Sequence, residues 1–369
     1  MILVGDCFEK LKDIEDNSIH SLVTDPPYGL STITEQDTRD CLAQWLADEV
    51  YTSQKTGFMG KSWDSFVPSP VLFREVLRVL KPGAYGLVFS GSRTQDLMTM
   101  SLRLAGFEIR DCLMWLYGNG FPKSHDISAA FDKKAGIKGQ LIKTVTRSNE
   151  PSGLVGVGRN RSIITKSFYA PASEEAKKWE GWGTALRPAY EPITLVRKPI
   201  KSSVTANIKE HGTGGLNIDA CRVKGDGKPR KVKRSASPSV GVTGFSPSSK
   251  SDFPSDRWPA NIITDGSINL KHANRYFYCA KVNPEERHKG TDQNIHPTVK
   301  PINLMRYLCK LITPEEGTIL DPFAGSGSTL CAAVLEGFKP LGIERDPEYA
   351  AIAEQRLNHY TLDKEWSLF

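Results

Sequence analysis

The amino-acid sequence predicts an α/β protein, doubly wound around a mostly parallel sheet, with a loop-rich basic region inserted in it. Three observations carry that reading. Short apolar runs alternate with amphipathic helical patterns at both ends of the chain, as in βαβ units. Two of those runs end in an aspartate followed at once by a turn, TDPPYG at 24–29 and LDPFAGSG at 320–327. Between Gly118 and Ile295 the regular pattern dissolves into Gly, Ser, Pro and basic residues, leaving only short islands such as EPITLVRK and WPANIIT.

Taken in order, ILVGD and SLVTD read as strands, and CLAQWLADEV as a helix within an insertion at 31–61. VLFREVLRVLKPG places Leu72, Val76 and Val79 on one face and reads as a helix that stops at Pro82-Gly83. YGLVFS is the next strand. Thr94 is positioned to cap the helix TQDLMTMSLRLAG, in which Leu97, Ser101, Leu102 and Ala105 share a face and Gly106 ends it. FEIRDCLMWLYG returns as a strand. After Pro301, INLMRYLCKLIT reads as a helix with Leu304, Leu308 and Leu311 or Ile312 inward, and TILD as a strand. A glycine-rich turn then opens a helix, strand PLGIE follows, and PEYAAIAEQRLNHY begins with Pro347 in the first turn, where its missing N–H costs nothing.

With 369 residues there is room for one large α/β domain and a smaller one. No apolar run approaches the roughly 20 residues of a membrane span. Met1 leads straight into ILVGD without a basic-then-apolar leader, so a cytoplasmic location is expected. The 7 cysteines are odd in number and never form C-x-x-C, which argues for reduced, mostly buried thiols and against a disulfide framework or a metal site. The net charge of +6 is modest, but 197–234 holds eleven basic residues against Glu210, Asp219 and Asp226. The stretch that follows, to Asp256, reads as a mobile loop.

In DPFAGSGST the strand ends at Asp321, and Gly325 and Gly327 let the backbone approach a ligand at a helix N-terminus. About twenty residues on, Glu344 ends the next strand, where an acid meets ribose hydroxyls. The arrangement points to a nucleoside-containing cofactor. Leu330 stands where a dinucleotide fingerprint has its third glycine or alanine, and no lysine follows to make a phosphate-binding P-loop.

Asp25-Pro26-Pro27-Tyr28 is predicted to sit at the carboxyl edge of its strand, where open α/β sheets bind ligands. The two prolines make a stiff turn without competing N–H donors. The Asp25 carboxylate and the Pro26 carbonyl then offer two acceptors to one group with two hydrogens, such as an exocyclic amine of adenine or cytosine. Holding both N–H bonds out of the ring plane would localise the nitrogen lone pair and aim it at an electrophile. Tyr28 adds a face on which a flat ring can stack.

With those two motifs in this order, the sequence resembles the amino-group DNA methyltransferases that use S-adenosylmethionine, in the subgroup whose DPPY lies N-terminal to the glycine motif. The resemblance implies a Rossmann-like methyltransferase domain built from 1–117, 184–200 and 296–369, with target recognition in 118–183 and 201–295. It implies catalytic roles for Asp25, Pro26, Pro27 and Tyr28, and cofactor contacts by Asp321, Phe323, Gly325, Gly327 and Glu344. Asp6 resembles the acid that meets the cofactor adenine. His296, Thr298 and Lys300 in HPTVKP resemble the segment that closes over its methionine end. Trp115 and the Glu191-Pro192 strand look like the hairpin beside a flipped base. Double-stranded DNA is the implied partner, with the basic middle segment neutralising phosphates. The resemblance makes a homodimer and a cognate restriction enzyme expectations to test, although neither has a marker in the residues.

The Pro-Cys dipeptide of cytosine-C5 enzymes is missing, so no covalent intermediate is expected. Within the resemblance, Asp at the head of the motif favours adenine N6 over cytosine N4. An RNA or protein-amide methyltransferase would more often lead with Asn. A non-catalytic DNA-binding protein would leave Asp25 and the glycine turn unexplained.

Overall fold

The structure is a computed structural model and describes residues 1–57, 60, 62–118, 120, 124–148, 163–225, 256–268, 277–279 and 284–366. The elements in chain order are β1 (Ile2–Val4), α1 (Cys7–Lys12), β2 (Ile19–Thr24), α2 (Glu35–Leu46), α3 (Pro70–Val79), β3 (Leu80–Phe89), α4 (Gln95–Leu104), β4 (Glu108–Leu116), α5 (Ile127–Ala135), β5 (Leu141–Ser148), β6 (Ile163–Tyr169), α6 (Glu174–Lys178), β7 (Tyr190–Arg197), α7 (Val204–His211), β8 (Ile262–Thr264), β9 (Tyr278–Cys279), α8 (Ile302–Ile312), β10 (Thr318–Asp321), α9 (Ser328–Leu335), β11 (Lys339–Glu344) and α10 (Pro347–Trp366).

Nine strands form one sheet in the order β1-β11-β10-β2-β3-β7-β4-β8-β9, while β5 and β6 pair only with each other. Every neighbouring pair in the large sheet is parallel except the two that involve β7. This is the doubly wound, mostly parallel sheet that the alternating pattern predicted. The strands at its centre are buried on both faces, which is why SLVT and GLVF read as unbroken apolar runs. One core layer packs α1, α3 and α4 through Leu11, Leu72, Phe73, Val76, Met98 and Leu102. The other packs α8 through Leu304, Leu308, Leu311 and Ile312, so both inward candidates are buried.

The topology fixes where a ligand belongs. After β2 the chain moves outward towards β3, and after β10 it moves the other way towards β11 and β1. The loops after β2 and β10 therefore part company over one crevice, which is the switch point at which open α/β sheets bind ligands. The aspartates that end the two apolar runs flank that crevice.

Several local expectations are corrected. Helix α3 ends at Val79, and Lys81-Pro82-Gly83 belong to β3. Proline is tolerated there because ladder pairing to β7 begins only at Tyr85, and the free Pro82 carbonyl accepts from Asn207 Nδ2 at 2.9 Å and Thr213 Oγ1 at 2.6 Å. Thr94 occupies the cap position of α4 but makes no side-chain cap bond, because its hydroxyl is committed elsewhere. The irregular middle contains real elements: α5, β5, β6, α6 and α7 all fall in it.

Two basic residues of the middle segment are structural. The Arg197 guanidinium is buried and bonds Glu108 Oε2 at 2.6 Å, and Lys198 Nζ holds Asn17 Oδ1 at 2.8 Å and the Leu80 carbonyl at 2.6 Å. The rest of the basic run from Gly227 to Arg234 and most of the loop after it lie outside the described residues. All seven cysteines are free thiols, with Cys41, Cys221, Cys309 and Cys331 buried. Among the described residues no helix is long and apolar enough to cross a membrane.

Candidate active site

The two motifs meet. Thr24, the last residue of β2, donates its hydroxyl to Asp321 Oδ1 at 2.7 Å, although 297 residues separate them. Asp321 also accepts the Phe323 amide at 3.2 Å. Burial pushes its carboxyl up to about 6, against the lowering effect of the hydrogen bonds from Thr329, Thr24 and Phe323.

The turn after β10 runs through Gly325 at φ +52° and Gly327 at φ +78°, both in the left-handed region that favours glycine. Gly327 is the N-cap of α9 and makes no side-chain cap bond to the first amides of that helix. Glu344 closes the turn from β11, accepting the Gly325 amide at 2.7 Å and the Asp346 amide at 2.8 Å. A carboxylate has about four lone-pair sites, so acceptor capacity remains for ribose hydroxyls. Asp6 lies beside this acid, since the Gly5 amide bonds the Glu344 carbonyl at 2.9 Å. Its own carboxylate caps α1 through the Phe8 amide.

His296 reaches the same turn from the HPTVKP segment. A Cβ on Gly325 would stand 2.8 Å from His296 Nε2. Its ring packs edge-on against Tyr349, and burial lowers its pKa to about 4, so it is neutral at pH 7. Thr298 is exposed and places its carbonyl 2.5 Å from His296 Nδ1. Gly325→Val thus strains the backbone and collides with the imidazole. At least a tenfold weaker affinity for the cofactor that this turn receives is expected by calorimetry, on the scale of about 1–3 kcal/mol for such strain.

Lys300, from the same segment, lies against the Asp25-Pro26-Pro27-Tyr28 motif. Its ammonium contacts Asp25 Oδ2 at 2.5 Å, Glu191 Oε2 at 3.3 Å and the Tyr28 hydroxyl at 3.2 Å. Only 10% of its side chain is exposed. Burial opposes the charge, but the Asp25 and Glu191 carboxylates outweigh it and the lysine pKa rises. Tyr28 donates to Asp25 Oδ1 at 2.7 Å and stands 3.1 Å from Glu191 Oε2. Burial and the two carboxylates keep its hydroxyl protonated far above neutral pH. One ammonium serves two carboxylates, leaving one negative charge in excess.

Three contributors were missed in the sequence. Asp64 is buried and accepts the Tyr28 amide at 2.8 Å and the Gly29 amide at 3.0 Å, while Thr94 donates to the Tyr28 carbonyl at 2.6 Å. Tyr28 is therefore held by both of its backbone polar groups. Glu191 was noted only as part of a flanking strand. Its register partner across β4 and β7 is Trp115, which is buried and 5.3 Å from the Tyr117 ring. No local signal marks Asp64 or Thr94, since each acts 36 and 66 residues from its partner.

Fold and site together define an α/β protein whose glycine turn after β10 lies within hydrogen-bond reach of the strand that leads into Asp25-Pro26-Pro27-Tyr28. A family profile described as DNA methylase matches residues 19–355. The chain is 25% identical over 374 residues to the Type II methyltransferase M.HindIII of Haemophilus influenzae, covering 96% of this chain and 93% of that protein. The DNA adenine methyltransferase YhdJ of Escherichia coli is 33% identical over 84 residues, 22% of this chain and 29% of its own. Among solved structures, the M1.HpyAVI complex with SAM aligns over 97% of this chain and 98% of its own, at 15% identity and a TM-score of 0.43. The chain belongs to the N6/N4 amino-group DNA methylase family, and its cofactor is S-adenosylmethionine. The glycine turn at φ-positive Gly325 and Gly327 and the Glu344 carboxylate beside it have the close-approach backbone and the acceptor that fit the nucleoside end of that molecule.

Proposed function

We propose that the chain is a site-specific DNA methyltransferase that modifies the exocyclic N6 amine of adenine in double-stranded DNA. The observation that carries the proposal is the Asp25 carboxylate at the edge of β2, one residue from the Thr24–Asp321 contact that ties the catalytic strand to the cofactor strand. An aspartate rather than a serine heads the motif, which within the family favours adenine. The match to a DNA adenine methyltransferase supports the same choice.

Bound at the glycine turn, S-adenosylmethionine would supply an electrophilic methyl carbon, the bond from that carbon to sulfur breaking as the new one forms and the sulfonium leaving as a neutral thioether. The residues of the chain do the remaining work by position and charge. A target base inside a duplex must be extruded to reach the crevice. Its amine then competes with Lys300 for the Asp25 oxygens, and the ammonium keeps Glu191 as its counter-ion, 3.3 Å away. Freed in this way, Asp25 accepts an amine N–H and stabilises the positive charge that grows on nitrogen as the N–C bond forms. The nitrogen then sheds one proton, for which the Asp25 oxygens are the acceptors at the reacting end. Asp64 and Thr94 hold the Tyr28 backbone so that the ring does not move with the base.

Methylation of genomic duplex DNA with labelled cofactor, followed by digestion to nucleosides and mass spectrometry, tests the proposal. N6-methyldeoxyadenosine is the expected product. Label confined to N4-methyldeoxycytidine would overturn the adenine assignment and leave the amine chemistry standing.

A further inference from the structure

Arginine is almost never fully buried without an acid beside it, because taking a permanent charge out of water is costly unless an opposite charge compensates. Arg356 on α10 departs from that rule. It is 0% exposed, and among the described residues no carboxylate pairs with it. Its Nη1 donates to the Ser326 carbonyl at 2.6 Å, to Ser326 Oγ at 3.0 Å and to Ser328 Oγ at 3.4 Å. All three acceptors are neutral. Nε and Nη2 reach no hydrogen-bond partner among the described residues, so a whole positive charge is left over beneath the glycine turn.

A second guanidinium adds to the excess. Arg287 donates through Nη2 to the His296 carbonyl, and its Nε has no partner among the described residues. Burial and the neighbouring Arg356 charge hold its pKa below the ordinary value, so the two cations stand within electrostatic reach of each other. The stretch from Arg287 to His296 is docked on α10. Thr291 Oγ1 donates to Gln355 Oε1 at 2.9 Å, and a Cβ on Gly290 would stand 3.1 Å from Arg356 Cα. Asn294 secures the stretch from within, donating to the Arg287 carbonyl at 3.0 Å and accepting the His296 amide at 3.1 Å.

The surplus charge bears on one end of the turn. Glu344 approaches at the Gly325 amide, whereas Arg356 approaches at Ser326 and Ser328, the residues that flank Gly327. The turn thus has an acid at one end and positive charge at the other, where the N-terminal dipole of α9 adds to it. Each serine hydroxyl that accepts from Arg356 keeps its own proton to donate. Such polarity matches a ligand with hydroxyls at one end and an anionic group at the other. S-adenosylmethionine has both: ribose hydroxyls for Glu344, and an amino-acid carboxylate for the cationic end.

We propose that Arg356 is a positioning residue for the cofactor: it fixes the Ser326-Gly327-Ser328 turn and, with Arg287, sets the positive field that favours the carboxylate of S-adenosylmethionine. Having no exposed surface, it acts through the turn and not by touching the ligand. The inference concerns cofactor binding alone, so a failed adenine assignment leaves it intact. The full-length protein is titrated calorimetrically with S-adenosylmethionine and with its decarboxylated analogue, which keeps the nucleoside, the sulfonium and the amine. Arg356→Met is expected to weaken the first about tenfold or more and the second no more than about twofold. Arg356→Lys keeps the charge without the planar fork and should recover most of the lost affinity. Arg287→Gln leaves the serine contacts in place and should weaken S-adenosylmethionine about threefold or more while sparing the analogue. In methyl transfer, Arg356→Met should raise the cofactor KM with kcat nearly unchanged. Equal losses for both ligands in Arg356→Met would reduce the arginine to a scaffold and overturn the proposal, as would unchanged affinity for both. Should that variant not fold, Arg287→Gln decides by the same comparison, and equal or absent losses there overturn the proposal as well.

Discussion

Asp25→Ala is expected to lower the rate of methyl transfer by about 10³-fold or more, the scale set by losing a preorganised charge at a reacting centre. Affinity for S-adenosylmethionine should change little, because the cofactor turn is held by Glu344 and Thr24–Asp321 and not by Asp25. The fold should also survive, since Lys300 keeps Glu191 as a partner and Tyr28 keeps its backbone bonds to Asp64 and Thr94. Labelled-methyl incorporation and calorimetry on the same preparation separate the two effects. Retained turnover would remove Asp25 from the chemistry.

Lys300→Met is expected to cost stability as well as activity. The variant leaves Asp25 and Glu191 within reach of one vacated position without a counter-charge, each carboxylate only 21% and 22% exposed. Removing one partner of a buried ion pair costs about 3–5 kcal/mol, and the partial exposure of the acids puts this case near the lower end. Urea unfolding should show the loss directly. Adding Glu191→Gln removes one of the stranded charges and should recover part of it, a coupling that a double-mutant cycle measures. Independent effects of the two substitutions would mean that Glu191 does not share the lysine.

Much of this architecture was legible because its signals are local. SLVT and TILD are apolar runs because strands at the centre of a parallel sheet are covered on both faces, and the glycines of 325 and 327 are fixed by positive φ. What was not legible depends on distance or on the absence of burial. Lys300 lies 275 residues from Asp25, and nothing in HPTVKP shows which carboxylate its ammonium will meet. The hydroxyl of Thr94 looks like a helix cap until Tyr28 comes within reach. β5 and β6 were missed for a different reason: strands exposed on both faces need no period-2 apolar alternation, so LIKTVTRS gives no strand signal beyond its threonines and β-branched residues.

The pairing of β2 with β10 has a consequence for biosynthesis. On the ribosome, the DPPY strand emerges almost 300 residues before the neighbour that completes its pocket, as the Thr24–Asp321 separation shows. Contact order this high delays closure of the sheet until β10 has been made, because loop-closure entropy must be met before that contact forms. A nascent chain that has passed β3 but not α8 would therefore carry Asp25 without the glycine turn proposed to hold the methyl donor. It would also present the bare edge of β2, where a chaperone is needed most.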